Sequence, residues 1–232
     1  MKTLVIQANI KSGSESGTIF WKNEEQQEKN LTHAIVENVC IPSVKAWALR
    51  NGYDYRLLTK ASGFKFFDQP GMPWQDTVGE YLLHMHQEDY DRVIKIDNDF
   101  YATDDAPEFP EVNGICGVAF PSRMIMRSDA FGTDDYIPAF DLVNKHATQG
   151  GLLAASKDAG KQLVNYFKLR IKEDRKISDP RIRNDEGLLY EFYQETDVAR
   201  DHLPTEWNHC MWYTYDHDTI PPYFVHFNGP FK

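Results

Sequence analysis

Tyr90-Asp91-Arg92-Val93-Ile94-Lys95-Ile96-Asp97-Asn98-Asp99 carries a short apolar run straight into two carboxylates one residue apart. Such a run, bounded by polar residues, predicts a buried strand, and the carboxylates fall at its exit. In an extended chain residues i and i+2 point to the same side, roughly 6.5 Å apart along the strand, so Asp97 and Asp99 are expected to converge on one cation. Hard oxygen ligands suit Mg²⁺ or Mn²⁺, and a site with few protein ligands leaves positions open for phosphate oxygens. The same spacing recurs at Asp89-Tyr90-Asp91 and Asp216-His217-Asp218. Only the copy at Asp97 leaves an apolar run, and ligands gather at the carboxyl ends of strands in α/β sheets.

Around that strand the chain alternates. A strand is expected over 4–8, a helix over 31–50 that Pro42 bends or splits and Asn51-Gly52 ends, a strand over 53–58 and a helix over 74–86. Further on, strands are expected over 117–120 and 150–155, helices over 160–171 and 185–193, and a weakly alternating tail over 223–227. Residues 121–146 carry turn residues and charges without periodicity, which predicts a long excursion over one face, of the kind that often shapes a binding site. The alternation indicates an α/β fold with a parallel sheet, and no linker divides the 232 residues, so one domain over 1–232 is expected.

The formal net charge of −10 argues against a nucleic-acid partner, because phosphate-backbone affinity comes from clustered Lys and Arg. A phosphorylated ligand would need a cation as intermediary. Cys40, Cys116 and Cys210 are odd in number and far apart, matching neither a disulfide framework nor a zinc pattern, so a reducing compartment is expected. The apolar run after Met1 is too short for a signal peptide and no stretch approaches a transmembrane length. A cytoplasmic location without a transmembrane segment follows as the expectation.

Three elements together resemble the nucleotide-sugar-dependent glycosyltransferases of the GT-A fold, most of all glycosyltransferase family 8. The strand into Asp97-Asn98-Asp99 resembles the family's D-x-D metal motif. Gln149-Gly150-Gly151-Leu152-Leu153 resembles a glycine-containing segment that lines the sugar site, and His226-Phe227-Asn228-Gly229-Pro230-Phe231-Lys232 resembles the family's H-x-x-G-x-x-K motif. The resemblance implies a single-domain, Rossmann-like α/β fold whose mixed, mostly parallel sheet is flanked by helices. It implies an enzyme that moves a sugar from a nucleoside-diphosphate sugar to a hydroxyl of a glycan or other acceptor, with Mn²⁺ (or Mg²⁺) and with retention at the anomeric carbon. Asp97, Asp99 and His226 would hold the metal, Asp97 being shared with the donor ribose. Lys232 would reach the diphosphate, Gly229 would let backbone approach it, and Gly150 and Gly151 would line the donor. Gln7, Ala8 and Asn9 stand where the family carries an acidic nucleotide-binding segment, which places Ala8 and Asn9 against the nucleotide. Asn184-Asp185-Glu186-Gly187 resembles the family's D-Q-D segment beneath the anomeric carbon, so Asp185 and Glu186 would orient sugar hydroxyls or stabilise an oxocarbenium-like transition state; as residues they also suit a helix N-cap.

Two other readings compete. A phosphotransferase of the haloacid dehalogenase type also places D-x-D after a strand, but near its N-terminus and with Thr soon after, whereas Phe100-Tyr101 follow here. A glycan-binding protein on the same fold without turnover is the second. Among other candidates, His84 and His86 lie two apart on an expected helix and cannot share a face, so they do not form a metal pair. Trp207 is expected in the core with Trp212, Tyr213 and Tyr215, while Asp104-Asp105 and Asp134-Asp135 are expected as solvated loop charges.

Overall fold

The computed structural model describes residues 1–10, 34–60, 75–119, 148–172, 185–210 and 221–227. The elements in chain order are β1 (Thr3–Ala8), α1 (Ile41–Arg50), β2 (Asp54–Leu58), α2 (Gln75–His84), β3 (Arg92–Ile96), β4 (Phe100–Ala102), β5 (Ile115–Ala119), β6 (Thr148–Ser156), α3 (Lys157–Lys172), α4 (Asp185–Glu195), β7 (Arg200–Leu203), β8 (His209–Cys210) and β9 (Phe224–His226). Six strands form one sheet in the order β2-β1-β3-β6-β5-β7. β1 is parallel to both β2 and β3, and β5 is parallel to β7. β6 is antiparallel to β3 and β5, so five strands share one direction and β6 alone opposes them. This is the mixed, mostly parallel α/β sheet expected from the sequence.

The helix expected over 31–50 is α-helical at 34–35 where the described residues resume, passes through a π-helical turn, Val36–Cys40, and returns to α-helix at Ile41. Pro42 lies in the first turn of α1 but inside a helical run, and the π-helical change of pitch just before it falls where its missing N–H removes a hydrogen bond from the preceding turn. Gly52 closes the helix at φ 71°, a left-handed conformation, while the Tyr53 N–H reaches back to the Ala48 carbonyl at 2.9 Å.

The core divides across the sheet by the two-residue period of the strands. Val5, Ile94, Ile96, Leu152 and Ala154 pack with Trp47, Phe100, Phe109, Trp207 and Phe224 on one face. Ile115, Leu153 and Ala155 face the other way, against Leu163 and Phe167 of α3 and Leu188 and Phe192 of α4. Trp207 is therefore core, as expected, lying edge-on to Trp47 and stacked on Phe224 at 5.6 Å.

Three short strands went unrecognised in the sequence: β4, β7 and β8. β4, β9 and β8 make a second, three-stranded sheet, with Phe100 paired to His226 and Cys210 to His226. This small sheet leads the chain away from β3 and brings its distant tail back to the carboxylates. Among the described residues, no helix is long and apolar enough to cross a membrane.

Candidate active site

Asp97 and Asp99 leave the sheet beside the carboxyl end of β1, as the strand-exit argument requires. The local geometry differs from the extended one expected. β3 ends at Ile96 and the Phe100 N–H closes back to the Asp97 carbonyl at 3.4 Å, so Asp97-Asn98-Asp99 lie in a turn. The carboxylates converge because the chain folds back towards β4, and strand alternation is not the cause.

The turn is held from several sides. Gln7 is fully buried and donates from Nε2 to the Asp97 carbonyl at 2.9 Å, while its Oε1 accepts from the Tyr55 hydroxyl at 2.9 Å. Buried Tyr81 donates to the Ile96 carbonyl at 3.0 Å and accepts from the Ala8 N–H at 2.7 Å, which ties the ends of β1 and β3 together. The Asp97 N–H reaches the Gly151 carbonyl at 2.9 Å, and the Phe227 N–H reaches the Asp99 carbonyl at 3.1 Å.

His226 meets Asp99 across the small sheet, with Nε2 3.4 Å from Asp99 Oδ1. Its Nδ1 lies 3.0 Å from Asn208 Oδ1 in the buried core. An amide oxygen accepts, so Asn208 Oδ1 suits an imidazole with its proton on Nδ1, the tautomer that would leave the Nε2 lone pair to a metal. The imidazole stacks on Phe100 at 4.1 Å. Gly151 makes room for that stack: a Cβ there would lie 2.7 Å from His226 Cε1 and 3.0 Å from the Phe100 ring.

One ligand atom from each of Asp97, Asp99 and His226 falls within 4.8 Å of the others, the one such acidic and histidine group among the described residues. The donor set, two carboxylate oxygens and one imidazole nitrogen, fits Mn²⁺ or Mg²⁺. Asp99 and His226 are buried, whereas Asp97 has 33% of its side chain exposed, so the group opens to solvent on the Asp97 side. Burial pushes the Asp97 carboxyl above the usual carboxylate range; Lys95 pulls it down and neighbouring Asp99 raises it further.

Other expectations divide. Ala8 and Asn9 lie at the same edge, Asn9 sharing its amide with Leu58 by backbone and with Asn98 and Glu37 by side chain. Asp185 begins α4, as a capped helix start predicts, but the side chains of Asp185 and Glu186, and all of Gly229 and Lys232, lie outside the described residues, as do residues 121–146, Asp134-Asp135, Trp212, Tyr213, Tyr215 and Asp216 to Asp218. His84 ends α2 near Glu80, at 3.6 Å, while His86 lies beyond the helix, contrary to the expectation that both sit on it, and pairs with Glu88 at 3.0 Å. Asp104 and Asp105 are exposed. Gln7, Tyr81, Lys95, Phe100 and Asn208 were missed as site residues. A polar residue inside an apolar strand was a readable signal for Gln7 and Lys95; nothing local marks Asn208.

The sheet order and the placement of this edge define the chain as a GT-A fold. No protein-family model matches the sequence, and no curated protein is significantly similar to it. Solved structures are similar in fold. A glycosyltransferase involved in glycosylation of the major capsid of the virus PBCV-1 matches with a TM-score of 0.53 at 10% identity, covering 99% of this chain and 94% of that one. The galactosyltransferase LgtC, solved with donor and acceptor sugar analogues, matches with a TM-score of 0.54 at 10% identity, covering 98% and 87%. Mouse xyloside xylosyltransferase 1 in its apo form matches with a TM-score of 0.51 at 11% identity, covering 97% and 96%.

Proposed function

We propose that residues 1–232 form one catalytic domain that transfers a sugar from a nucleoside-diphosphate sugar to an acceptor hydroxyl, on a glycan or similar molecule, with Mn²⁺ or Mg²⁺ bound by Asp97, Asp99 and His226. The observation that carries this reading is the convergence of two carboxylates and an imidazole backed by Asn208 at the carboxyl edge of a GT-A sheet. The fold neighbours support it, since each is a glycosyltransferase. One is a galactosyltransferase and another a xylosyltransferase, so the fold does not choose the donor sugar.

Breaking a sugar–phosphate bond leaves a nucleoside diphosphate whose growing charge needs stabilisation, and the cation, when bound, supplies it as a Lewis acid. The chain's own residues do the rest. Asp99 and His226 give the site its rigid side, and Asn208 holds the imidazole in the ligating tautomer. Asp97, partly exposed, faces the entering donor, with Ala8, Asn9, Gly150 and Gly151 along the nucleotide and sugar. Lys232 would place an ammonium on the departing diphosphate, with Gly229 allowing close backbone approach. Asp185 and Glu186 would orient sugar hydroxyls and stabilise positive charge at the anomeric carbon, with retention as the expected outcome.

Thermal-shift titration with a panel of nucleoside-diphosphate sugars, with and without Mn²⁺, tests the reading. A donor at a hundred times its dissociation constant should stabilise the native state by about 2.7 kcal/mol, in the presence of Mn²⁺ only. Asp99→Ala should lose that metal-dependent shift together with donor hydrolysis. Equal shifts in the parent and Asp99→Ala would sink the assignment.

A further inference from the structure

The anomaly of the central strand is Lys95. β3 is buried along its whole length, and Lys95 lies in it with 2% of its side chain exposed. A long cationic side chain ordinarily runs out to water, and burying one is costly unless its charge is matched. Here the ammonium has a built cradle. It lies 2.8 Å from Asp97 Oδ1, donates to the Gly150 carbonyl, and sits 4.7 Å from the centroid of the Tyr81 ring. The same Tyr81 bonds the Ile96 carbonyl, and Gly150 adjoins the residue that makes room for His226, so the cradle is assembled from the elements that fix the candidate metal site.

We infer that Lys95 is an affinity-setting and positioning residue of that site: it holds Asp97 by an ion pair, and its fixed charge keeps the affinity for a bare divalent cation low. The inference rests on the metal reading given above. Two aspartates with a neutral histidine would present two negative charges to an incoming dication; Lys95 leaves one. A cation that takes Asp97 as ligand must share that carboxylate with the ammonium, which repels it at short range in a partly dry environment. Asp99 and His226 then carry most of the hold on the metal. An anionic diphosphate reverses the balance, because it is attracted by metal and lysine together. The site therefore fills best with metal and diphosphate at once, and the protein gains little from binding free metal.

Calorimetric titration with Mn²⁺ alone, on the full chain, tests this. Lys95→Met keeps most of the side chain's length and removes its charge; it should bind Mn²⁺ at least about tenfold more tightly than the parent, while Lys95→Arg stays within about twofold of it. A lysine that served folding alone would leave Mn²⁺ affinity unmoved. Equal or weaker binding by a cooperatively melting Lys95→Met, beside measurable binding by the parent, overturns the inference and leaves the metal site standing. Failure of both proteins to bind Mn²⁺ overturns the metal reading and this inference together. Should Lys95→Met not fold, the pair variant Lys95→Met/Asp97→Asn removes both charges at once, which buried ion pairs tolerate better than loss of one partner. It should bind Mn²⁺ more tightly than Asp97→Asn alone, and equal affinity overturns the proposal.

Discussion

The two faces of the sheet are packed by different means. Against α3 and α4 the buried core is mostly aliphatic, with Leu163, Val164, Leu188 and Leu189 beside Phe167 and Phe192 over Leu153 and Ala155, and Phe192 meets Tyr166 edge-on at 5.3 Å and also Tyr193. On the other face the rings of Trp47, Phe109, Trp207 and Phe224 lock edge to face, Trp47 and Phe224 at 4.9 Å and Phe109 and Trp207 at 4.8 Å. Aromatic pairs of this kind prefer particular angles, so they fix orientation as well as burial. That matters because the second face carries the small sheet, and with it His226. An aliphatic layer can shift by fractions of an ångström without harm to a site; the aromatic layer carries His226, whose Nε2 faces Asp99 at 3.4 Å.

The sharpest way to break this contrast is a matched pair of truncations. Phe192 and Phe224 are both fully buried, one in each layer. Each exchange to Ala should cost about 3–5 kcal/mol of stability through lost burial and a residual cavity. Only Phe224→Ala should also weaken Mn²⁺ binding in the folded fraction, by about tenfold, because Phe224 lies two residues from His226 on β9 and shares its register with β4. Urea denaturation and calorimetry below the transition separate the two effects. If both variants bind Mn²⁺ as the parent does, the aromatic layer is packing and nothing more.

The same contrast governs what the sequence discloses. The main sheet was legible because its strands are apolar runs with clear ends: β1, β3 and β6 lie where Leu4 to Ala8, Val93 to Ile96 and Gly150 to Ala155 predicted, within a residue or two. The small sheet was not, because β4 is Phe100-Tyr101-Ala102, too short to display a period, and its partner β9 lies more than a hundred residues away. The site divides likewise. Asp97, Asp99 and His226 were expected together from spacing and family resemblance and do lie together, whereas Asn208 meets His226 through a contact that only tertiary folding creates. Even the paired carboxylates were placed together for the wrong local reason, since a turn performs what alternation along a strand was expected to do.

Asn208 gives a finer test of the aromatic side, because it changes the histidine's proton and little else. Asn208→Ala removes the acceptor that faces Nδ1, and outer-shell partners of ligating histidines are worth about 10–100-fold in metal affinity. Mn²⁺ binding should fall within that range while the melting curve stays cooperative. Asn208→Asp, which still accepts from Nδ1, should keep the tautomer and retain more affinity than the alanine variant. Equal losses in both would mean that Asn208 packs against the imidazole without fixing it.

The smallest effect concerns a thiol on the same face. Cys116 belongs to the aromatic-side cluster, is buried, and has its thiol pushed up to about 12 by that burial, with Asp201 adding to the rise and Arg92 opposing it. Because the folded value lies above the ordinary one of about 8.5, the protonated thiol favours the native state. That contribution is complete below about 8.5 and is lost progressively as pH rises towards 12, since the unfolded chain ionises first. At pH 9.5 the loss should be about 1.4 kcal/mol relative to neutral pH, one pH step above the unfolded value. Urea denaturation at pH 7.5 and 9.5 should therefore show a steeper alkaline decline in the parent than in Cys116→Ala, and iodoacetamide should leave Cys116 of the native protein unmodified at pH 8.5. Parallel declines, or rapid native-state alkylation, would mean that this layer admits water, and that it is less rigid than its ring geometry implies.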